Sequence, residues 1–177
     1  MICIEIDELT PCLKLNKTGE SVRTTIKQIT DKRALKGFTE KSGWYVNWQT
    51  LIDENEVYAL YAENEPDIQG LVAFRDDPDK NSVYVAWMVA AEWTNPEKTA
   101  NKKYLGVGGH LFAVAARKSV IYGHNGDMYG FAKDRETEEK FIGRFAVHIG
   151  ALHPYHLEIT EEKAAEIMEV YDYELEE

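Results

Sequence analysis

The chain is poor in several things, and each shortage removes a class of protein. It has only two cysteines, Cys3 and Cys12, and no CxxC pair. That excludes a disulfide framework or a thiolate zinc site and makes the reducing cytoplasm the expected compartment. No apolar run approaches the ~18 residues of a membrane helix; the longest, YVAWMVAA over residues 84–91, has the length of a strand. The opening stretch MICIEIDELTP carries Glu5, Asp7 and Glu8 and no basic region, so a secretory signal is not expected. Basic residues are outnumbered, 20 Lys and Arg against 31 Asp and Glu, for a net charge of −11. General nucleic-acid binding depends on phosphate neutralisation and is not expected of such a chain. Repeats and low-complexity segments are also missing.

What remains is a soluble-type chain of 177 residues with 44% apolar composition, the size of one domain with its own core. Its charge is uneven. Lys98, Lys102, Lys103, Arg117 and Lys118 fall in a stretch with no acidic residue, whereas nine acidic residues against Lys163 alone fill 158–177. A basic stretch on an acidic molecule suits an anionic ligand, and the acidic remainder suits a cationic one.

Apolar spacing at Val22, Ile26, Ile29 and Leu35 predicts a helix over 22–36, ending at Gly37. A short helix is expected near Asn47. Strands are expected at 56–63, 68–76 and 82–93, joined by the turns NEPD and DPDKN, which makes an antiparallel meander. A polar stretch at 94–103 precedes a helix over about 108–122, stopped by Gly123. A strand at 127–132, a helix over 135–148, a strand at 155–159 and a last helix capped by Thr160 complete the order. This order predicts an α/β (α+β) domain, a mixed and mostly antiparallel sheet flanked by helices.

The segment YLGVGGHLF, 104–112, places three glycines in four positions at a helix start. Free amides and the helix dipole at such a point suit an anion, and glycine lets it approach the backbone. A P-loop is excluded because no Lys-Ser or Lys-Thr follows at the required spacing. A dinucleotide fingerprint fails at Leu111 and lacks the tight strand-to-helix turn. The glycines alone would also serve close packing of the helix on the sheet.

KYLGVGGHLF resembles the [RQ]-x-x-G-x-[GA] signature of the GNAT superfamily of N-acetyltransferases, with Lys103 in place of Arg or Gln. The resemblance extends over about residues 57–152, with VYVAWMVAAEWTN at the bulged fourth strand, LFAVAARKS at the helix and GDMYGFA at the fifth strand. It implies a central sheet whose strands four and five splay, with 1–56 as an N-terminal helical, acceptor-side part, 57–152 as the acyl-CoA core and 153–177 as a C-terminal strand and acidic helix. It implies acetyl-CoA as co-substrate. The pantetheine would pair with Val89 and Ala91, and the pyrophosphate would lie on Tyr104, Leu105, Gly106, Val107, Gly108, Gly109 and His110. The acceptor would be a small-molecule or lysine-type primary amine.

An exposed amine has a pKa of ~10.4, so about one in two thousand is neutral at pH 7, and a desolvating acidic pocket or a positioned base must supply the difference. Glu92, at the end of the fourth strand, is the candidate. The family's tyrosine acid is missing: Phe141 or Phe145 stands in its place, and Tyr129, Tyr155 or His148 are the available substitutes, with Tyr129 the first choice. The implied activity is direct acetyl transfer; a non-catalytic CoA-binding module is the alternative. His148, His153 and His156 lie close in sequence without a Cys or an HExxH, so no metal site is expected. Ser119 has no triad partners. No membrane partner is expected, and a homodimer is compatible with the sequence, which does not fix the oligomeric state.

Overall fold

The computed structural model describes residues 1–148 and 153–176. The strands are β1 (Ile2–Cys3), β2 (Leu13–Leu15), β3 (Ser21–Val22), β4 (Thr24–Gln28), β5 (Glu56–Ala62), β6 (Ile68–Asp77), β7 (Ser82–Ala90), β8 (Tyr104–Leu105), β9 (Met128–Phe131), β10 (Val147–His148), β11 (His156–Ile159) and β12 (Glu174–Glu176). The α-helices are α1 (Trp48–Leu51), α2 (Val107–Tyr122), α3 (Arg135–Phe141) and α4 (Glu161–Val170). The main sheet runs β10-β11-β9-β7-β6-β5-β4-β12, with β1 set against β7. A second, three-stranded sheet is β3-β2-β8.

The meander forms as its sequence predicts. β5, β6 and β7 pair antiparallel, and the turns between them place Asn64 and Asn81 at φ 63 and 51, a conformation asparagine tolerates. One face of the meander carries Val72, Phe74, Val85, Met88 and Ala90 under α2, with Leu111, Phe112 and Ala115 filling the interface. The opposite face carries Val57, Ala59, Leu71, Ala73, Val89 and Ala91 under Leu35, Trp44 and Trp48. The sheet is therefore covered on both sides, which explains why these strands read as continuous apolar runs.

Three expectations need correction. No helix forms over 22–36, where the chain builds β3, β4 and a 3-10 turn; the short helix expected near Asn47 does form, as α1 capped by the Asn47 side chain. Val22 and Ile26 are four apart, a spacing that fits a strand as well as a helix, and the β-branched Thr24, Thr25 and Ile26 decide for β4. Ile26 is fully buried against β5, and the chain then forms only a 3-10 turn at Lys32–Leu35, capped by the Asp31 carboxylate. The helix expected over 135–148 ends at Phe141; Gly143 turns with φ 76 and the chain enters β10. The long third strand stops at Ala90, where the amides of Thr94 and Asn95 turn back to the Ala91 carbonyl. The core boundary drawn at residue 152 lies outside the described residues, as does Glu177. Among the described residues no helix is long and apolar enough to cross a membrane.

Candidate functional site

β7 and β9 are parallel neighbours, but only Val83, Tyr84 and Val85 pair with Met128, Tyr129 and Gly130. At the end of that pairing the β6–β7 register slips, Phe74 facing Val85 and Ala73 facing Trp87, which leaves Ala86 as the extra residue of a bulge. A bulge bends its strand and increases the local twist. Beyond it β7 and β9 diverge and leave a furrow between Met88–Val89 and Ala132–Lys133.

The chain's own first residues fill that furrow. β1 runs parallel to β7 with Ile2 opposite Met88 and Cys3 opposite Val89. The Met88 amide donates to the Met1 carbonyl at 3.1 Å, and from the other wall the Lys133 amide donates to the Ile2 carbonyl at 3.0 Å. Ile2, Cys3, Ile4 and Ile6 are all buried. Lys133 pairs with Glu97 and with Asp134, and Glu97 also accepts the Tyr45 hydroxyl at 2.6 Å. Burial pushes the Cys3 thiol up to about 11, so it stays protonated in the folded state.

The same segment continues over the start of α2. Gly106 caps the helix at φ 89, a left-handed conformation that favours glycine. Its amide donates to Asp7 Oδ1 at 2.9 Å. Lys102 Nζ donates to Glu5 Oε1 at 2.7 Å and to Asp7 Oδ2 at 3.1 Å, and Lys140 approaches the second Glu5 oxygen at 3.2 Å. Burial pushes the Glu5 carboxyl up, but Lys102 and Lys140 outweigh it and hold the group below its ordinary range. Lys102 is the converse: burial pulls it down, and the two carboxylates raise it above the usual lysine value.

Each sequence-predicted cofactor residue can now be placed. Val89 faces Cys3. The Ala91 amide donates to the Gln69 carbonyl at 2.9 Å and is not free to pair with a pantetheine arm. Tyr104 and Leu105 form β8, paired with Leu15 and Lys14 of β2. A Cβ at Gly108 would lie 2.0 Å from the Glu5 carbonyl oxygen, and one at Gly109 would lie 1.7 Å from the Tyr171 hydroxyl. Val107 is buried in the core. Most of these residues are covered by other parts of the chain: Val89, Gly106 and Gly108 by residues 2–7, Tyr104 and Leu105 by β2, and Gly109 by Tyr171. His110 does not face an anion. It is fully buried, its Nδ1 2.7 Å from the Gly106 carbonyl and its Nε2 3.2 Å from that of Pro11, with the Tyr171 ring against it at 4.6 Å.

The two candidate catalytic residues are not brought together. Glu92 is exposed just beyond β7, beside Gly43, and has no hydrogen-bond or ion-pair partner among the described residues. Tyr129 lies opposite Tyr84, about 25 Å back along the strand at ~3.3 Å per residue. Its hydroxyl donates to Asp77 at 2.5 Å and accepts from Lys80 at 2.8 Å. Phe141 and Phe145 are both buried in the core, and His148 Nδ1 is held 2.5 Å from Glu138. Among the described residues no group of three or more His, Cys, Asp and Glu is arranged for a metal ion.

Sequence reasoning missed the segment Ile2–Asp7, and with it Lys102 as the centre of charge. The signal was present: I-C-I-E-I-D alternates apolar and other residues, the pattern of a strand with one buried face.

Two buried histidines set a pH dependence. Burial lowers the pKa of both His110 and His156. For a lowered pKa the stability is fully present above the unfolded value of ~6.5 and is lost as pH falls toward the folded value. Thermal unfolding is expected to show Tm falling between pH 7 and pH 5, less steeply in His110→Gln. A Tm flat across that range would contradict the assignment.

No protein-family model and no curated protein sequence matches the chain. Solved structures do. The crystal structure of AtaTR bound with AcCoA matches at TM-score 0.55 and 14% identity, covering 82% of this chain and 98% of that one. The KacTA–DNA complex matches at TM-score 0.55 and 14% identity, covering 83% and 99%. A mutant AtaT toxin bound to the C-terminus of the antitoxin AtaR matches at TM-score 0.51 and 13% identity, covering 81% and 97%. At these identities the likeness is one of fold. The bulged strand, its splayed parallel neighbour and the glycine-capped helix between them, with these superpositions, give this chain the fold of the GNAT superfamily.

Proposed function

We propose that this chain is an acyl-CoA-dependent N-acetyltransferase that moves an acetyl group from acetyl-CoA to a primary amine by direct transfer. The observation that supports it most is the furrow itself. It accepts one extended chain with main-chain hydrogen bonds from both walls, and at its mouth the Gly106 amide and Lys102 hold two carboxylates. A pantetheine arm with a diphosphate has that same form and polarity. The match to AtaTR, itself bound with AcCoA, supports the same ligand.

In this reading Met88 and Lys133 amides align the arm, and Lys102, Lys140 and the α2 start neutralise the phosphates. Acetyl-CoA supplies the thioester. Glu92, exposed at the end of β7, takes the proton from the attacking amine through water. Tyr129 is too distant to join it. A thiolate of pKa ~8.5 departs without a dedicated acid, which accommodates the phenylalanines at 141 and 145. The reading requires residues 2–7 to vacate the furrow.

One observation favours a second reading, a non-catalytic GNAT-fold module: the ligand track is already covered by the chain itself. Acetyl-CoA at 100-fold excess over Kd should stabilise the chain by ~2.7 kcal/mol if it binds. Release of free thiol with a panel of amines then marks turnover, and Glu92→Gln should lower kcat by ~10²-fold or more at unchanged acetyl-CoA affinity. Binding without thiol release from any amine selects the module. Unchanged kcat in Glu92→Gln removes that residue from the reaction.

A further inference from the structure

We infer that residues Ile2–Asp7 are an internal stand-in for acyl-CoA: the segment docks in the CoA furrow, competes with the cofactor for it, and must leave before the cofactor enters. The inference rests on the acetyl-CoA reading above.

Four features make the segment more than an edge strand. It enters between two strands, β7 and β9, that are partners elsewhere in the same sheet, so it occupies a gap and does not extend an edge. Its pairing is brief, with Ile2 and Cys3 alone in register with β7 and a single bridge from Ile2 to Ala132. Its acidic side chains turn inward to the start of α2, where Lys102 is only 15% exposed between Glu5 and Asp7. Finally, Asp7 takes the Gly106 amide, the group that sequence reasoning reserves for a phosphate. Apolar stem, main-chain hydrogen bonds and a doubly anionic end therefore recur in the order of a pantetheine diphosphate. Displacement exchanges like for like: two carboxylates leave Lys102 and Gly106, and two phosphates replace them.

Tethering sets the consequence. A short flexible linker gives a docked segment an effective concentration in the mM range. Acetyl-CoA then binds with an apparent Kd raised by the reciprocal of the open fraction. Weakening the segment's hold should tighten acetyl-CoA binding without touching a cofactor contact.

Cys3 reports the event. It is 3% exposed while docked and is freed when the segment leaves. In a Cys12→Ser background it is the single thiol, and acetyl-CoA, whose sulfur is acylated, does not consume a maleimide reagent. Saturating acetyl-CoA is expected to speed Cys3 labelling at least tenfold, the reverse of the protection a ligand gives to a wall residue. Glu5→Gln with Asp7→Asn should speed labelling without ligand and lower the acetyl-CoA Kd about tenfold. Val89→Cys, opposite Cys3 in register, should form a disulfide that abolishes binding until reduced. Amide exchange over Ile2–Ile6 in the unsubstituted chain, faster with acetyl-CoA because the buried segment leaves, supports the inference with no variant to fold. Saturable acetyl-CoA binding with unchanged Cys3 labelling and unchanged exchange overturns it and leaves the acetyl-CoA reading standing. If the charge-neutralised variant labels fast and still binds no acetyl-CoA, the acetyl-CoA reading fails and the inference falls with it.

Discussion

Replacing Lys102 by Met is expected to cost the chain about 3 kcal/mol of stability. Lys102 neutralises two carboxylates that come from a distant part of the sequence, Glu5 at 2.7 Å and Asp7 at 3.1 Å. All three side chains are at most 22% exposed, so the charges left behind are poorly solvated. Breaking a buried pair by removing one partner costs ~3–5 kcal/mol, and partial exposure together with Lys140 beside Glu5 places this case at the lower end. For a chain of this size 1 kcal/mol corresponds to roughly 2–4 °C, so Tm should fall by about 6–12 °C. Adding Glu5→Gln and Asp7→Asn to Lys102→Met should recover most of the loss, because the orphaned charges go too. Additive losses in that cycle would mean that the three groups do not act as one unit.

The second large effect belongs to Gly109. A Cβ there would sit 1.7 Å from the Tyr171 hydroxyl and 1.9 Å from its ring carbon Cζ. The ring cannot simply swing away, because His110 packs against it and the Asp172 amide ties the next residue to the Pro11 carbonyl. Overpacking a filled site costs ~1–3 kcal/mol and sometimes more; Gly109→Ala is expected near the upper end, about 3 kcal/mol by chemical denaturation. Tyr171→Ala loses a buried ring of its own, but in that background the extra cost of Gly109→Ala should shrink below about 1 kcal/mol. If Gly109→Ala is neutral in the parent chain, the close approach of the C-terminal segment to α2 is wrong.

The meander, α2 and the fifth strand were legible because each has one dominant signal: Asn-containing turns between apolar runs, or a glycine at either end of an apolar helix. The stretch 22–36 was not, since Val22 and Ile26 satisfy two periods at once and only pairing with β5 chooses between them. At the site, the sequence names the glycines and the end of β7 but not what covers them. A motif such as LGVGG names amides, whereas the acceptor on the Gly106 amide comes from Asp7 and the cover over Gly109 from Tyr171, both far away in the chain. The alternating stretch ICIEID carried the missing information, but its acidic residues read as solvated ones until the fold placed Lys102 between them. Gly108 and Gly109 do serve close packing, but against Glu5 and Tyr171 and not on the sheet, where the sequence reading places it. His110 illustrates the same limit, since adjacency to the glycines suggested a ligand contact and the helix turned it into the core.

The central claim is that the furrow between β7 and β9 is an acyl-CoA site. Calorimetric titration of acetyl-CoA into the unsubstituted chain and into the Glu5→Gln, Asp7→Asn variant tests it most directly. Saturable one-to-one binding to both, tighter in the variant, is the predicted result. Absence of binding to either, with both proteins folded, would contradict it.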